Sequence, residues 1–205
     1  MIPLPRGAGG GSHYLRKKRC IFMKRLASIL LVLTMALSLA ACGEGGLNLN
    51  PGGGSGEPGL KKGFVGDTLS TYWFDFTVND VYSCTQYGSY TASAGNKLVV
   101  AAITLKNTCG ESVDMWGDDF VILWDSEDDG AALALPAGIS DDQFPDEYIL
   151  KINETRAGMA VYEVPEDFRD FVIAFQEIYE DTENPDNLDG KEGETFFVSF
   201  TAEEK

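Results

Sequence analysis

The run Lys97-Leu-Val-Val-Ala-Ala-Ile-Thr-Leu-Lys106 constrains this chain most. Successive side chains of a strand point to opposite faces. This run is apolar on both phases, so it reads as a central strand covered on each side. Such a strand needs neighbours, and the sequence supplies them. Tyr72, Phe74, Phe76 and Val78 alternate with Trp73, Asp75 and Thr77, the period-two pattern of a half-buried strand. Val81 breaks that phase and predicts a bulge near Asn79-Asp80. Further strands are expected over residues 120–124 and 158–164, through Phe171, Ile173 and Phe175, and through Phe196, Val198 and Phe200. Turn chemistry separates them at Asn107-Thr-Cys-Gly110, residues 125–130, Asn153-Glu-Thr155 and residues 180–190. Residues 165–169 alone read as a helical turn. Short strands at this spacing predict an all-β chain folded as an antiparallel β-sandwich.

Upstream, the chain changes character at Leu39-Ala40-Ala41-Cys42. Met23-Lys24-Arg25 is a short basic start. Residues 26–41 are apolar apart from Ser28, Thr34 and Ser38. That run is shorter than the roughly 20 residues of a membrane span, and its small final residues suit signal-peptide cleavage. A cysteine directly after Leu-Ala-Ala resembles the lipobox of bacterial lipoproteins. In that family the equivalent residue, here Cys42, receives a diacylglyceryl group and becomes the first residue of the mature protein. Two acyl chains anchor stably where one holds weakly. The resemblance implies a protein lipid-anchored at the extracytoplasmic face of a bacterial cell membrane. The plainer alternative is a secretory signal followed by a cysteine with no special role. Residues 1–22 fit neither scheme well. Arg16-Lys17-Lys18-Arg19 extends the basic start, but the Gly-rich residues 7–12 look like linker or untranslated sequence, so Met23 is the expected start.

The expected organisation is therefore an extension and signal peptide over residues 1–41, a lipidated flexible tether over 42–63 and one domain over 64–205. Gly45-Gly46, Pro51-Gly-Gly-Gly-Ser55 and Glu57-Pro58-Gly59 cannot bury a core. A coil of about 20 such residues has a mean span of roughly 25 Å.

Charge separates along the same boundary. The chain carries a formal −16, with 16 Lys and Arg against 32 Asp and Glu. Seven basic residues and no acidic ones precede Cys42, which leaves nine against 32 after it, or −23. Such a surface repels phosphate backbones, which excludes nucleic acid as a partner. It also repels anionic lipid and wall polymers, and it favours cations and basic partners.

The order of short motifs carries a second resemblance. Gly66-Asp67-Thr68 leads into Phe76-Thr-Val78. Leu98-Val-Val100, Leu105-Lys-Asn107, Asp119-Phe120 and the stretch from Met159 to Val164-Pro165 follow. This order resembles the DUF4352 family, secreted bacterial domains often carried on lipoproteins, and it covers residues 63–201. The resemblance implies an immunoglobulin-like β-sandwich and no catalytic residues. The Pro-Gly usual before the Met159 strand is absent; Asn153 to Gly158 stand there instead.

The only histidine is His13, ahead of the cleavage site. Ser-His-Asp and Cys-His catalysis and histidine-based zinc sites are thereby excluded from the mature chain. No Gly-x-Ser-x-Gly, P-loop or dinucleotide fingerprint is present. Paired carboxylates of the glycosidase kind remain open, with no pair singled out.

Asp125, Glu127 and Asp129 alternate before Gly130, and calcium takes hard oxygen ligands on tight turns. An EF-hand would need its bidentate Glu where Pro136 stands, so the choice is a non-EF calcium turn or a solvated hairpin. Glu180, Asp181, Glu183, Asp186 and Asp189 form a second acidic loop, and Asp141-Asp142 could join either in space.

Cys84 and Cys109 are an even pair in an exported chain, which favours a disulfide. A bridge closing such a loop is worth about 3–3.5 kcal/mol in the chain-entropy account. Antiparallel pairing of the two strands concerned would instead put the cysteines about 33 Å apart, beyond the roughly 7 Å that a bridge allows between Cα atoms.

Tyr87, Tyr90 and Trp116 sit near expected loops. They are candidate ligand-contact aromatics, or rim packing of the core. Two functions are open on these residues. One is a non-enzymatic, surface-tethered module recognising an extracellular protein, glycan or cation. The other is an envelope-processing hydrolase or its accessory, working through carboxylates.

Overall fold

A computed structural model describes residues 59–125, 130–180, 182 and 190–205. Its elements in order are β1 (Leu60–Phe64), β2 (Thr68–Ser70), β3 (Phe74–Cys84), β4 (Gln86–Tyr87), β5 (Tyr90–Thr91), β6 (Asn96–Asn107) and β7 (Val113–Trp116). Then come β8 (Val121–Trp124), β9 (Gly130–Leu133), β10 (Glu147–Leu150), β11 (Thr155–Pro165), β12 (Asp170–Tyr179) and β13 (Lys191–Thr201). Gly54–Glu177 and Glu192–Lys205 form one compact unit, which holds the sandwich; Ile178–Lys191 belong to a second.

One sheet has the order β1-β13-β12-β8-β9, the other β11-β6-β3-β2. Two short ribbons, β10-β7 and β4-β5, complete the set. The protein is an all-β sandwich of the immunoglobulin-like kind.

Strand β6 lies between β3 and β11 and pairs with both along its length, from Phe74↔Asn107 to Cys84↔Leu98 and from Thr155↔Lys106 to Pro165↔Asn96. Val99, Ala101, Ile103 and Leu105 point into the main core. Leu98 and Val100 point the other way, into a second cluster with Val161. Tyr87 and Tyr90 of the β4–β5 ribbon and Leu135 pack against that second cluster. Both phases of the run are apolar because both faces of the strand are covered.

The main core is aromatic and joins the two sheets. Phe76 of β3 meets Phe120 at 5.2 Å and Phe196 of β13 at 6.0 Å, and Phe74 meets Phe175 of β12 at 5.1 Å. Most of these rings meet edge to face or tilted, which suits their quadrupoles. The β3–β6 register shifts between Val78 and Asp80, the expected bulge. Asn79 is the extra residue, and its amide donates to Thr104 Oγ1 at 2.8 Å.

Buried polar side chains lock one end of the sandwich. Asn107 Nδ2 donates to the carbonyls of Glu111 and Leu150, both at 2.9 Å, and its Oδ1 accepts from Cys109 N–H at 2.8 Å. Every hydrogen-bonding group of this fully buried amide has a partner, as burial requires. The buried carboxylate of Glu177 accepts Tyr72 N–H at 2.7 Å and Glu194 N–H at 3.1 Å, tying the approach to β3 onto β13.

Several expectations change. The sandwich is not wholly antiparallel, since β1 runs parallel to β13. The folded unit also starts earlier than residue 64. Lys61 and Lys62 give β1 no apolar alternation, and its partner lies at the far end of the sequence. Tyr72 is exposed rather than inward. Thr71 Oγ1 accepts from Trp73 and Phe74 N–H, a side-chain turn that delays the strand to Phe74. Residues 166–167 form a turn without a helix. Cys84 and Cys109 are free thiols. Cys84 pairs with Leu98 at one end of the β3–β6 ladder, and Cys109 lies just beyond Asn107 at the other, so no bridge forms.

Replacing Asn107 by Ala strands two carbonyls and one amide. The expected loss is about 3 kcal/mol, at roughly 1–3 kcal/mol per orphaned buried group, read as a lower urea midpoint at unchanged slope. Asn107→Asp keeps the acceptor but loses both donor bonds, and is expected to be no less damaging.

Candidate functional site

The outer face of the four-stranded sheet carries a cleft of about 440 Å³. Its floor is low because small residues make it: Ala102 on β6, and Ala157 and Gly158 on β11. The bulge residue Asn79 borders one side, and residues 141–145 form the opposite wall. That wall is held by main-chain bonds to the edge of β11. Met159 N–H donates to Asp142 O at 2.8 Å, and Phe144 N–H donates to Met159 O at 3.2 Å. These bonds also cover an edge that would otherwise invite another strand.

Gly158 is required by packing. A Cβ there would stand 2.8 Å from the ring of Phe144. Phe144 stacks on Tyr148 with centroids 5.6 Å apart and planes within 8°. The Arg156 guanidinium lies 4.7 Å over the Tyr148 ring, and its Nη2 donates to Glu154 Oε1 at 2.8 Å. One lining residue, Arg156, is thus aimed by a cation–π contact and a carboxylate.

The β4–β5 ribbon approaches from the other side. Its turn residue Gly88 has φ +54°, and a Cβ there would overlap Ile139 O, a position that Gly alone fills. The Tyr87 hydroxyl lies 2.7 and 2.8 Å from the two carboxylate oxygens of Asp142. The Tyr90 hydroxyl donates to Glu163 Oε2 at 2.5 Å. Glu163 Oε1 also accepts Ser93 N–H at 2.8 Å and Asn96 Nδ2 at 3.0 Å.

These contacts set the charges. Hydrogen bonds from Ser140 and then Tyr87 hold Asp142 below the usual carboxylate range. Burial, reinforced by Asp142, pushes the Tyr87 hydroxyl far up, so it stays a neutral donor. The donors on Glu163, Tyr90 first, then Asn96 and Ser93, bring it down to about 2. Glu154 is lowered by Lys151 N–H and by Arg156. Of these carboxylates only Asp142 lines the cleft, together with Asp141, the Asn79 amide and Arg156.

Tyr87 and Tyr90 come together as a cross-strand pair. They pack on the second cluster rather than standing free, and their hydroxyls serve internal carboxylates. Trp116 lies on β7, in a different ribbon, half-buried, with its main-chain N–H donating to Asp119 at 2.8 Å. Asp125 is exposed just after β8, while Glu127 and Asp129 lie outside the described residues, as do Cys42 and most of the second acidic loop. Among the described residues no group of three or more His, Cys, Asp or Glu side chains is placed to hold a metal ion. Arg156 and Gly158 escaped the sequence reading. Their signal was a small-residue pair beside one of only nine basic residues after Cys42.

No known family profile and no curated protein matches the chain. Solved structures with a similar arrangement exist at low identity. An uncharacterised β-sandwich protein from Clostridium difficile is 13% identical, with 73% of this chain and 100% of that one covered at a TM-score of 0.48. The secreted protein MPT63 of Mycobacterium tuberculosis is 15% identical, over 69% and 98% of the two chains, at 0.45. The ycdA protein of Bacillus subtilis, described as a candidate lipoprotein, is 13% identical at 0.44. The match covers 66% of this chain but only 38% of that longer one.

The lowered pKa of Glu163 fixes a pH dependence. A carboxylate depressed on folding stabilises above its unfolded value, near 4.5, and loses that contribution as pH falls toward 2. The thermal midpoint is expected to fall across that window. Glu163→Gln should lower it at neutral pH and flatten the decline, with Asp142 and Glu154 supplying the remaining slope.

Proposed function

We propose that this protein is a membrane-anchored extracytoplasmic lipoprotein whose β-sandwich binds a ligand without transforming it. The observation that carries the binding part is the cleft with Asp142 held in its ionised form. General acid catalysis by a carboxyl group needs the opposite shift, toward the protonated form. Asp142, Glu154 and Glu163 all shift toward the charged form. The lipobox-like Leu39-Ala40-Ala41-Cys42 supports the anchor, and the motif order resembling DUF4352 supports the family. The ligand class is a donor-rich small molecule or side chain, from a protein or a glycan. Calcium at Asp125, Glu127 and Asp129 belongs to the same proposal as an accessory ion.

The alternative, a carboxylate hydrolase, has one point in its favour: Asp141 and Asp142 share the cleft. In that reading they would be the working pair.

Two measurements test the proposal. Labelled palmitate is expected to enter the wild-type protein and not Cys42→Ala, which should also stay unprocessed; equal labelling removes the anchor. In pull-downs from envelope extract with and without calcium, the protein is expected to retain a ligand that Asp142→Asn loses. Turnover of that ligand by wild type, abolished in Asp141→Asn, would favour the hydrolase instead.

A further inference from the structure

Strand β11 ends the order of the four-stranded sheet, and its outer edge is covered along only part of its length. In an antiparallel ladder the main-chain groups of alternate residues face away from the partner strand. On β11 these residues include Val161 and Met159. Val161 O accepts Leu135 N–H at 2.7 Å. Met159 N–H donates to Asp142 O at 2.8 Å, and its carbonyl accepts Phe144 N–H at 3.2 Å. Gln143 and Met159 form a parallel bridge, so residues 142–144 run as a short added strand. The cover stops there. By the same alternation Ala157 and Thr155 turn their N–H and C=O to the edge, and neither has a main-chain partner at that edge among the described residues. Both are exposed. The chain beyond Phe144 leaves them open because β10 pairs with β7.

This open edge borders the cleft. Ala157 lines it together with Asp141, Asp142 and Arg156. The Arg156 charge is met by Glu154 at 2.8 Å. Among the described residues Asp141 and Asp142 meet no cation. The small side chains of Ala102 and Ala157, with Gly158 between them and Phe144, keep the approach low.

We propose that this edge takes an extended peptide as an added strand, with a Lys or Arg side chain of that peptide on Asp141 and Asp142. The inference rests on the binding reading above and deepens it: the ligand is a protein segment. The main-chain groups of Thr155 and Ala157 recur at roughly 7 Å, the spacing that alternate residues of an extended chain present. Strand addition draws affinity from such groups and selectivity from the side-chain sites beside them. Carboxylates without a cation select a basic side chain. An open edge is a hazard that folds cover or blunt. Here Val161 and Met159 are covered, and the two positions beside the acidic turn are not.

The test uses the full chain in detergent and a pool of blocked peptides with a central lysine between random residues. The peptide enriched most is then made in three forms: unaltered, with glutamate for the lysine, and with every amide N-methylated. Each altered form is expected to bind about tenfold more weakly, and the unaltered form to slow hydrogen exchange at the Ala157 amide. Ala157→Pro removes an N–H that faces out of the ladder, where edge strands admit proline. It is expected to keep the thermal midpoint and to weaken the peptide about tenfold. Asp141→Asn with Asp142→Asn should bind the lysine and glutamate forms alike. Enrichment of no peptide, equal binding of the N-methylated form, or unchanged exchange at Ala157 overturns the proposal. The pull-down from envelope extract separates this failure from failure of the binding reading. A glycan or small molecule that Asp142→Asn loses and Ala157→Pro keeps sinks the added strand alone, whereas retention of nothing sinks both.

Discussion

Strand β6 is buried on both faces, and the rest of the fold answers that constraint. Its inner side chains need the aromatic layer contributed by the opposite sheet. Its outer side chains, Leu98 and Val100, need a cover that the opposite sheet cannot give. The β4–β5 ribbon and Leu135 supply it. That covering layer, continued along the edge of β11 by residues 142–144, is also what creates the cleft. The layer covers the Leu98 end of β6, whereas further along, at Ala102, the small side chains and the bulge leave room. The cleft is thus a by-product of how a central strand is covered.

Polar side chains then decide how the covering pieces are held. On the outer face two tyrosine–carboxylate pairs, Tyr87 with Asp142 and Tyr90 with Glu163, clamp the ribbon onto β11 and its flanking wall. At the end of the sandwich where β3 begins, Asn107 and Glu177 do the same for main-chain segments of different strands. Hydrogen bonds to ionised groups are roughly twice as strong as neutral ones, and they are directional. They fix register where apolar packing alone would allow sliding.

The sandwich strands were legible wherever burial followed a short period. Phe74, Phe76 and Val78, and Phe171, Ile173 and Phe175, alternate because one face meets the core. The run through β6 is apolar throughout because both faces do. The bulge was legible as a phase break at Val81. Strands β1, β2, β7 and β10 were not, because each has only three to five residues, too few to display a period. The cleft was legible only in fragments. Asn79 and Asp141-Asp142 drew notice separately, but nothing in one dimension says that a bulge, a small-residue pair and an acidic turn converge. Two-sided burial also explains why the disulfide argument from exported cysteines gave way to ladder geometry. The pairing that buries β6 is the same pairing that drives Cys84 and Cys109 apart.

The aromatic residues illustrate how a surface feature changes meaning once its partners are known. Tyr87 and Tyr90 sit in a Gly- and Ser-rich stretch, where an exposed ring would be free to stack on a sugar. In the fold their rings pack on Leu98, Val100 and Val161, and their hydroxyl protons already serve carboxylates. The cleft beside them is lined by the Asn79 amide, the Asp141–Asp142 turn and Arg156, not by these two rings.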